Sequence, residues 1–394
     1  MTLLSSLTVL SLEQATTLPC LTQRLAREGA RVIRVEAPGR GDPNRYVGRK
    51  FLDEDGLASY FLPNNCGKQA ITLNLAEAEG RALLSELIAK LPVDIFATNN
   101  RVSSYGKLGI DYGTIKAIRP DIIWLGVSGF GPMHDEAAYD PILQARAGWM
   151  ELTGEPDGLP LVFGLPMVDL GAAEHAYGAL MKALYRRAVT GEGSRIDISM
   201  FRSAVTWMAS PLLLTALGEP VTRRGNTHQF FAPVSVYPTR DGYLYIAVGN
   251  DRQWQALTTL PGFASLADES YQLNAGRIAD VQRLNQRLAE CTGTMATDAL
   301  SAALKGIGVP VAKVNTLKDV LAEPLLKEFF AHSLDGPSGA EVILPPTAEV
   351  GADGDLPARL SFPPRLGEHN GAIYGSRLGV SDQKLTELKE RGII

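Results

Sequence analysis

Among the residues able to do covalent chemistry, one aspartate has the most suggestive surroundings. Asp169 lies in the stretch GLPMVDLGAA at 164–173, between an apolar, strand-like run and the start of a long amphipathic helix. A carboxylate there has two uses. As an N-cap it accepts hydrogen bonds from the first free backbone N–H groups of the helix. As a nucleophile it exploits the same place, because a helix N-terminus favours the ionised form and an ionised carboxylate can form covalent acyl intermediates. The two uses are compatible, and the residue pattern alone favours the cap. Other chemistry-bearing residues offer less. The five histidines (His134, His175, His228, His332, His369) have no metal-ligand spacing and read as surface or structural residues. The three cysteines (Cys20, Cys66, Cys291) form no CxxC pair, which speaks against both a zinc site and a disulfide framework. No GxSxG elbow, GxGxxG turn or GxxxxGK[ST] loop is present, so Ser hydrolase chemistry, NAD and ATP are poor expectations.

The elements that must position Asp169 follow from hydrophobic periodicity. Residues 7–12, 31–35, 70–75, 93–97 and 122–128 read as strands. They alternate with helical stretches at 19–28, 77–90 and 112–118, and Gly29 stands where a helix C-terminal glycine belongs. Such alternation predicts βαβ units and a parallel, Rossmann-like sheet. Residues 170–187 repeat apolar side chains every three or four positions, predicting a helix. Residues 196–199 read as a strand, and 201–217 as one nearly all-apolar helix suited to a large core or a subunit interface. Around Arg240, Asp241 and Gly242 two alternating runs predict a hairpin, followed by a helix capped by Asn250 or Asp251 and carrying Trp254. Further expectations are a strand at 309–314 and a helix at 317–321. The tail, rich in proline (Pro345, Pro346, Pro357, Pro363, Pro364), reads as irregular up to a final helix at 382–391.

Composition narrows the class. In 394 residues, 45% are apolar and 21% charged, with 38 basic against 43 acidic side chains and a net charge of −5. A chain of that size buries a core without staples, and it lacks the basic stripe of a nucleic-acid binder. No apolar stretch is long enough for a membrane span, and the first residues lack the basic region of a signal peptide. The expectation is a cytoplasmic enzyme with no metal, no membrane and no nucleic acid. It has an α/β large domain at 1–220, a smaller α+β domain at 221–330 and a C-terminal segment at 331–394.

Several motifs, in order, resemble those of the family III CoA-transferases, the group of formyl-CoA transferase, carnitine CoA-transferase and α-methylacyl-CoA racemase. They are GARVIRVE at 29–36 with GDP at 41–43, NCGK at 65–68 with LNL at 73–75, and SGFG at 128–131. Tyr139 with Asp140, Gln144, LTGEPDG at 152–158, TGEG at 190–193, GNDR at 249–252 and PRLGEH at 364–369 complete the series. The resemblance covers nearly the whole chain. It implies that Asp169 is the nucleophile of a thioester exchange through anhydride and aspartyl-CoA intermediates. It also implies that CoA or acyl-CoA is a substrate rather than a resident cofactor, that two subunits form an interlocked homodimer, and that the segment 331–394 returns to the large domain. The CoA contacts it implies are Gln14, Ala15, Leu73, Asn99, Asn100, Arg101, Lys107 and Tyr139. Ala37 and Ala76 stand where a member of the family has basic residues facing phosphate, so Arg34, Arg40 or Arg45 is expected to compensate. Gly249 is a candidate oxyanion donor. Arg45, Arg49 or Arg252 is a candidate for the distal carboxylate of an acceptor.

Within the family, LEQA at 12–15 resembles members acting on short dicarboxylates. The expected reaction therefore moves CoA from a donor such as succinyl-CoA to an acid of the mesaconate, itaconate or glutarate class. Racemase chemistry is the first alternative, and it requires two acid/base groups flanking an α-carbon. Racemases carry histidine where this chain has Tyr139, and a phenol is a weak base at neutral pH. A non-catalytic CoA-binding protein is the second alternative. Loss of turnover with retained binding in Asp169→Asn separates it from an enzyme.

Overall fold

The computed structural model describes residues 4–52, 54–349 and 359–394. Six strands form one parallel sheet: β1 (Thr8–Leu12), β2 (Arg31–Glu36), β3 (Gln69–Thr72), β4 (Ile95–Thr98), β5 (Ile123–Ser128) and β6 (Ser194–Ser199). Their order is β3-β2-β1-β4-β5-β6, so the winding reverses between β1 and β4. β1 is registered on both neighbours, Val9 opposite Val32 on one side and Ile95 on the other. All five residues of β1 and all four of β4 are buried. Strands covered on both faces read as unbroken apolar runs, which is why the sequence shows them clearly. The covering helices include α1 (Thr17–Arg27), α2 (Ala78–Lys90), α3 (Tyr105–Leu108), α4 (Tyr112–Ile118), α5 (Asp140–Arg146) and α6 (Met167–Thr190). Gly29, with φ of 100°, ends the first of these as expected.

At its 24 residues, α6 is about 36 Å long. It leads into β6, so it runs back along the sheet and its first turn lies at the end where the strands finish. In open α/β sheets, the reversal point at the strands' carboxyl ends is where ligands bind.

The chain divides into two compact units. One comprises residues 1–147, 163–213 and 328–394, and the other 148–162 and 214–327. Residues 148–162, expected in the large domain, group with the second unit. Glu151 accepts hydrogen bonds from Thr222 at 2.6 Å and from Arg223 at 2.7 Å, and the Gly225 amide reaches the Gly154 carbonyl at 2.8 Å. The second unit carries the antiparallel sheet β7 (Val234–Thr239), β8 (Gly242–Ala247) and β9 (Val311–Lys313). Asn250, as expected, caps the helix of Trp254 by accepting from the Gln253 amide at 3.0 Å.

Two expectations fail. The apolar run 201–217 is two helices, α7 (Met200–Thr206) and α8 (Ala209–Ala216). Pro211 has no N–H to bond back, and its ring would clash with the carbonyl of Trp207, so one continuous helix cannot form. α8 is not part of the core of the single chain, since Leu212 and Leu213 are 48% and 60% exposed, which leaves a subunit interface of the two expected places. The tail, expected to be irregular before its last helix, contains a second small sheet: β10 (Ala331–Leu334), β11 (Glu341–Leu344) and β12 (Arg359–Ser361). Pro357 lies outside the described residues. The final residues pack on the large unit's core, where Ile393 and Ile394 join Leu84, Leu87 and Phe96. The Asn74 amide also donates to the Ile393 carbonyl at 2.8 Å.

Candidate active site

β1 ends at Leu12 and the chain turns through residues 13–16 into α1. This turn is fixed from three sides. Asn99, just past β4, donates to the Gln14 carbonyl at 2.8 Å and accepts from the Gln14 amide at 3.0 Å. Ala15 sits in the left-handed region with φ of 61°, where a Cβ is disfavoured. Its amide donates to Asp42 at 3.1 Å. Glu13 is buried beneath the turn, accepting from Lys68 at 2.6 Å and from Thr22 at 2.5 Å. Burial pushes the Glu13 carboxyl up, but the charges of Lys68 and Arg34 outweigh it and hold it below the usual range.

Those partners belong to a larger buried cluster. Arg34 pairs with Glu36 at 3.2 Å and with Asp42 at 3.0 Å, and hydrogen-bonds Asn65. Arg45 pairs with Glu36 at 2.6 Å. Arg34 is 0% and Arg45 1% exposed. Neither is free to compensate for Ala37 and Ala76 at a phosphate, and Arg45 is equally unable to hold an acceptor's carboxylate. Arg40 is exposed and lies over the Tyr46 ring at 5.2 Å.

The expected capping role of Asp169 is overturned. α6 begins two residues before it, and the cap is supplied by a different helix. Asp140, at the start of α5, accepts from the amides of Val168 at 2.7 Å and Asp169 at 3.0 Å. Gln144, one turn along α5, donates to Asp140 at 2.5 Å and accepts from the Phe163 amide at 2.9 Å. The Asp169 side chain is thereby released from backbone duty. Its Oδ1 accepts from the Thr17 hydroxyl at 2.6 Å, at the first residue of α1. Burial raises its carboxyl to about 6, the Thr17 bond lowers it, and the neighbouring Asp140 charge raises it. The result is a carboxylate that is ionised at neutral pH yet more basic than usual, a combination suited to nucleophilic attack.

A cleft of about 280 Å³ at the sheet's reversal point brings Asp169 together with Gln14, Ala15, Asn99, Asn100, Arg101 and Tyr139. An adjoining cleft of about 250 Å³ shares Gln14 and Asn100 and is lined by Leu73, Ala37 and Ala76. Lys107, exposed on α3, lines neither. Gly249 gives its amide to Gln253 at 2.8 Å, so that N–H is already committed and does not serve as an oxyanion donor. Two larger clefts, of about 680 and 830 Å³, open elsewhere without touching Asp169. Chemistry rather than size therefore identifies the site. Sequence reasoning missed Thr17, for which no motif spoke. It also missed the structural task of Asp140 and Gln144, whose spacing of four on one helix face was the available signal.

Residues 4–370 match the family described as CoA-transferase family III. The succinate–glutarate CoA-transferase of Agrobacterium fabrum is 32% identical over 383 residues, spanning 94% of this chain and 94% of that protein. The succinyl-CoA:glutarate CoA-transferase of Homo sapiens is 30% identical over 397 residues, spanning 99% and 90%. Among solved structures, a CAIB/BAIF family protein from Brucella suis has a TM-score of 0.86 at 36% identity, covering 95% of this chain and 99% of that one. The fold and the sequence thus agree over nearly the full length, and the chain belongs to CoA-transferase family III, enzymes that act on acyl-CoA substrates.

Proposed function

We propose that this enzyme moves CoA from a donor such as succinyl-CoA to a short dicarboxylate of the mesaconate, itaconate or glutarate class, with Asp169 as the nucleophile. The observation that carries this reading is the half-buried Asp169 carboxylate, hydrogen-bonded through one oxygen and facing the cleft at the sheet's reversal point. The acceptor class is supported by the named activities of the two dicarboxylate-using relatives.

Asp169 Oδ2 attacks the donor's thioester carbon and expels CoA thiolate, leaving a mixed anhydride. The thiolate attacks the Asp169 carboxyl carbon, releasing the donor acid and forming an aspartyl-CoA thioester. The acceptor carboxylate then displaces the thiolate at that carbon. Finally the thiolate attacks the acceptor's acyl carbon, giving the new acyl-CoA and restoring Asp169. One thioester is exchanged for another, so no ATP is consumed. The site must keep water from the anhydride and the thioester. Gln14, Ala15, Asn99, Asn100, Arg101 and Tyr139 are proposed to contact CoA in the cleft of Asp169, Leu73 in the adjoining one and Lys107 from outside both. Racemisation fits less well, since Asp140 spends both oxygens on α6 and Gln144 and Tyr139 is a phenol.

We further read the enzyme as a homodimer, because the exposed apolar side chains of α8 need a partner surface. A reducing cytoplasm suits its three free cysteines. The test of the reaction is an acceptor screen: purified enzyme, succinyl-CoA and a panel of carboxylic acids, with products identified by mass. A new thioester formed with a dicarboxylate and lost in Asp169→Asn is the expected outcome. Proton exchange at the α-carbon of a branched acyl-CoA, with no transfer to any acid, would overturn the reading.

A further inference from the structure

Thr17 is 5% exposed and opens α1, and its hydroxyl donates to one oxygen of Asp169 at 2.6 Å. Among the described residues it is the hydrogen-bond donor to that carboxylate. The pairing is held in place along both helices. Arg24 of α1 is ion-paired to Glu174 of α6, and Tyr177 of α6 donates to Glu28, just past α1, at 2.7 Å. Positions 17, 24 and 28 thus meet 169, 174 and 177 in the same order, so the two helices run in parallel register with the Thr17–Asp169 contact at their shared N-terminal end. On its other side the Thr17 hydroxyl meets the Met200 sulfur at 3.8 Å. That neighbour offers no competing strong acceptor.

We infer that Thr17 is a catalytic residue for the steps that occur at the Asp169 carboxyl carbon. Its hydroxyl holds Oδ1, leaves Oδ2 free to attack, and stabilises the oxyanion that forms on Oδ1. This rests on Asp169 being the acyl-accepting carboxylate. Once Asp169 is acylated, Oδ1 is the carbonyl oxygen of the anhydride. When CoA thiolate adds to the carboxyl carbon, the carbonyl π electrons move onto Oδ1, and collapse of that oxyanion breaks the bond to the donor acid. When the acceptor carboxylate adds to the thioester, the same oxygen takes the charge again and the carbon–sulfur bond breaks. Thr17 keeps its proton throughout. A donor already in place where charge develops needs no reorganisation, and a partly dry site strengthens it. In the first and last steps the oxyanion forms on the substrate's acyl oxygen rather than on Oδ1, so Thr17 stabilises developing charge in the middle two steps and serves the first by positioning Asp169.

The experiment is a quenched time course of the covalent CoA adduct on the enzyme, started with succinyl-CoA and read by intact mass. It compares wild type, Thr17→Val and Thr17→Ser, with each variant's melting temperature recorded. Thr17→Val keeps the shape and loses the hydroxyl. Adduct formation and kcat are expected to fall about 100-fold with KM for the donor little changed, while Thr17→Ser restores most of the rate. Should the valine variant fail to fold, Thr17→Ala against Thr17→Ser makes the same comparison. An adduct on wild type that forms as fast in a folded, hydroxyl-free variant overturns the role of Thr17 and leaves Asp169 as nucleophile. Absence of any adduct on wild type overturns the nucleophile itself, and this inference with it.

Discussion

As the proposed nucleophile, Asp169 must be anionic to attack and basic enough to attack well. Its surroundings meet both demands, with burial and the Asp140 charge raising the carboxyl to about 6 and Thr17 moderating the rise. kcat/KM reports groups of the free enzyme. It should therefore be flat above about pH 7 and fall as pH drops through 6. A profile flat down to pH 5 would mean that another group carries the reaction. The same shift costs stability. A raised carboxyl binds its proton more tightly in the folded chain, so the cost is fully present above pH 6 and disappears as pH falls below the ordinary aspartate value. Asp169→Asn keeps an acceptor for Thr17 and removes the buried charge, and it should stabilise the protein at pH 8 by about 2 kcal/mol. Denaturant melts of the two proteins at pH 8 and pH 4 check this, with the gain expected at the first pH only. The type and place of Asp169 were legible in the sequence. Its partner was not, because Thr17 lies 152 positions away and only the packing of α1 on α6 brings it near.

Elements, not single residues, aim that carboxylate. Asp140 caps α6 from α5, which frees Asp169 from the capping role that its position in the sequence suggested. Asp140→Ala strips acceptors from two amides and from Gln144, and should cost about 1–3 kcal/mol in unfolding free energy. It should also lower kcat by displacing α6's first turn. An unchanged melt and unchanged turnover would show that the cap is dispensable. The recurring motif residues Glu36, Asp42, Asn65 and Lys68 prove to be members of a buried ionic cluster beneath the Gln14–Ala15 turn. None of them lines the cleft of Asp169, although Glu36 and Asp42 reach the wall of the adjoining one. The strands β1, β4 and β5 were readable because burial on both faces demands nearly continuous apolar residues, and β6 because its exposed and half-buried residues alternate. The sheet of β10 to β12 was not, since its strands of three or four residues are held by Leu57, Phe61 and Cys66 from far away in the chain. The break between α7 and α8 could have been read from Pro211 alone.

At the scale of the molecule, the reversal of strand order between β1 and β4 sets the place of the proposed site, because it opens the sheet where both strands finish. Gln14 and Asn99 are close for that reason, although 85 positions separate them. The apolar face of α8, which the sequence promised to bury, is unburied in the single chain: Leu213 is 60% and nearby Trp207 59% exposed. Light scattering should return twice the chain mass for wild type and a smaller or aggregated species for Leu213→Glu. A monomeric wild type would remove the dimer from the account. The most direct test of the central claim is peptide mapping of enzyme quenched during turnover with succinyl-CoA. The peptide bearing Asp169 should gain the mass of CoA less one water, and Asp169→Asn should neither gain it nor turn over. Turnover retained in Asp169→Asn, or an adduct found only on another residue, would contradict the account.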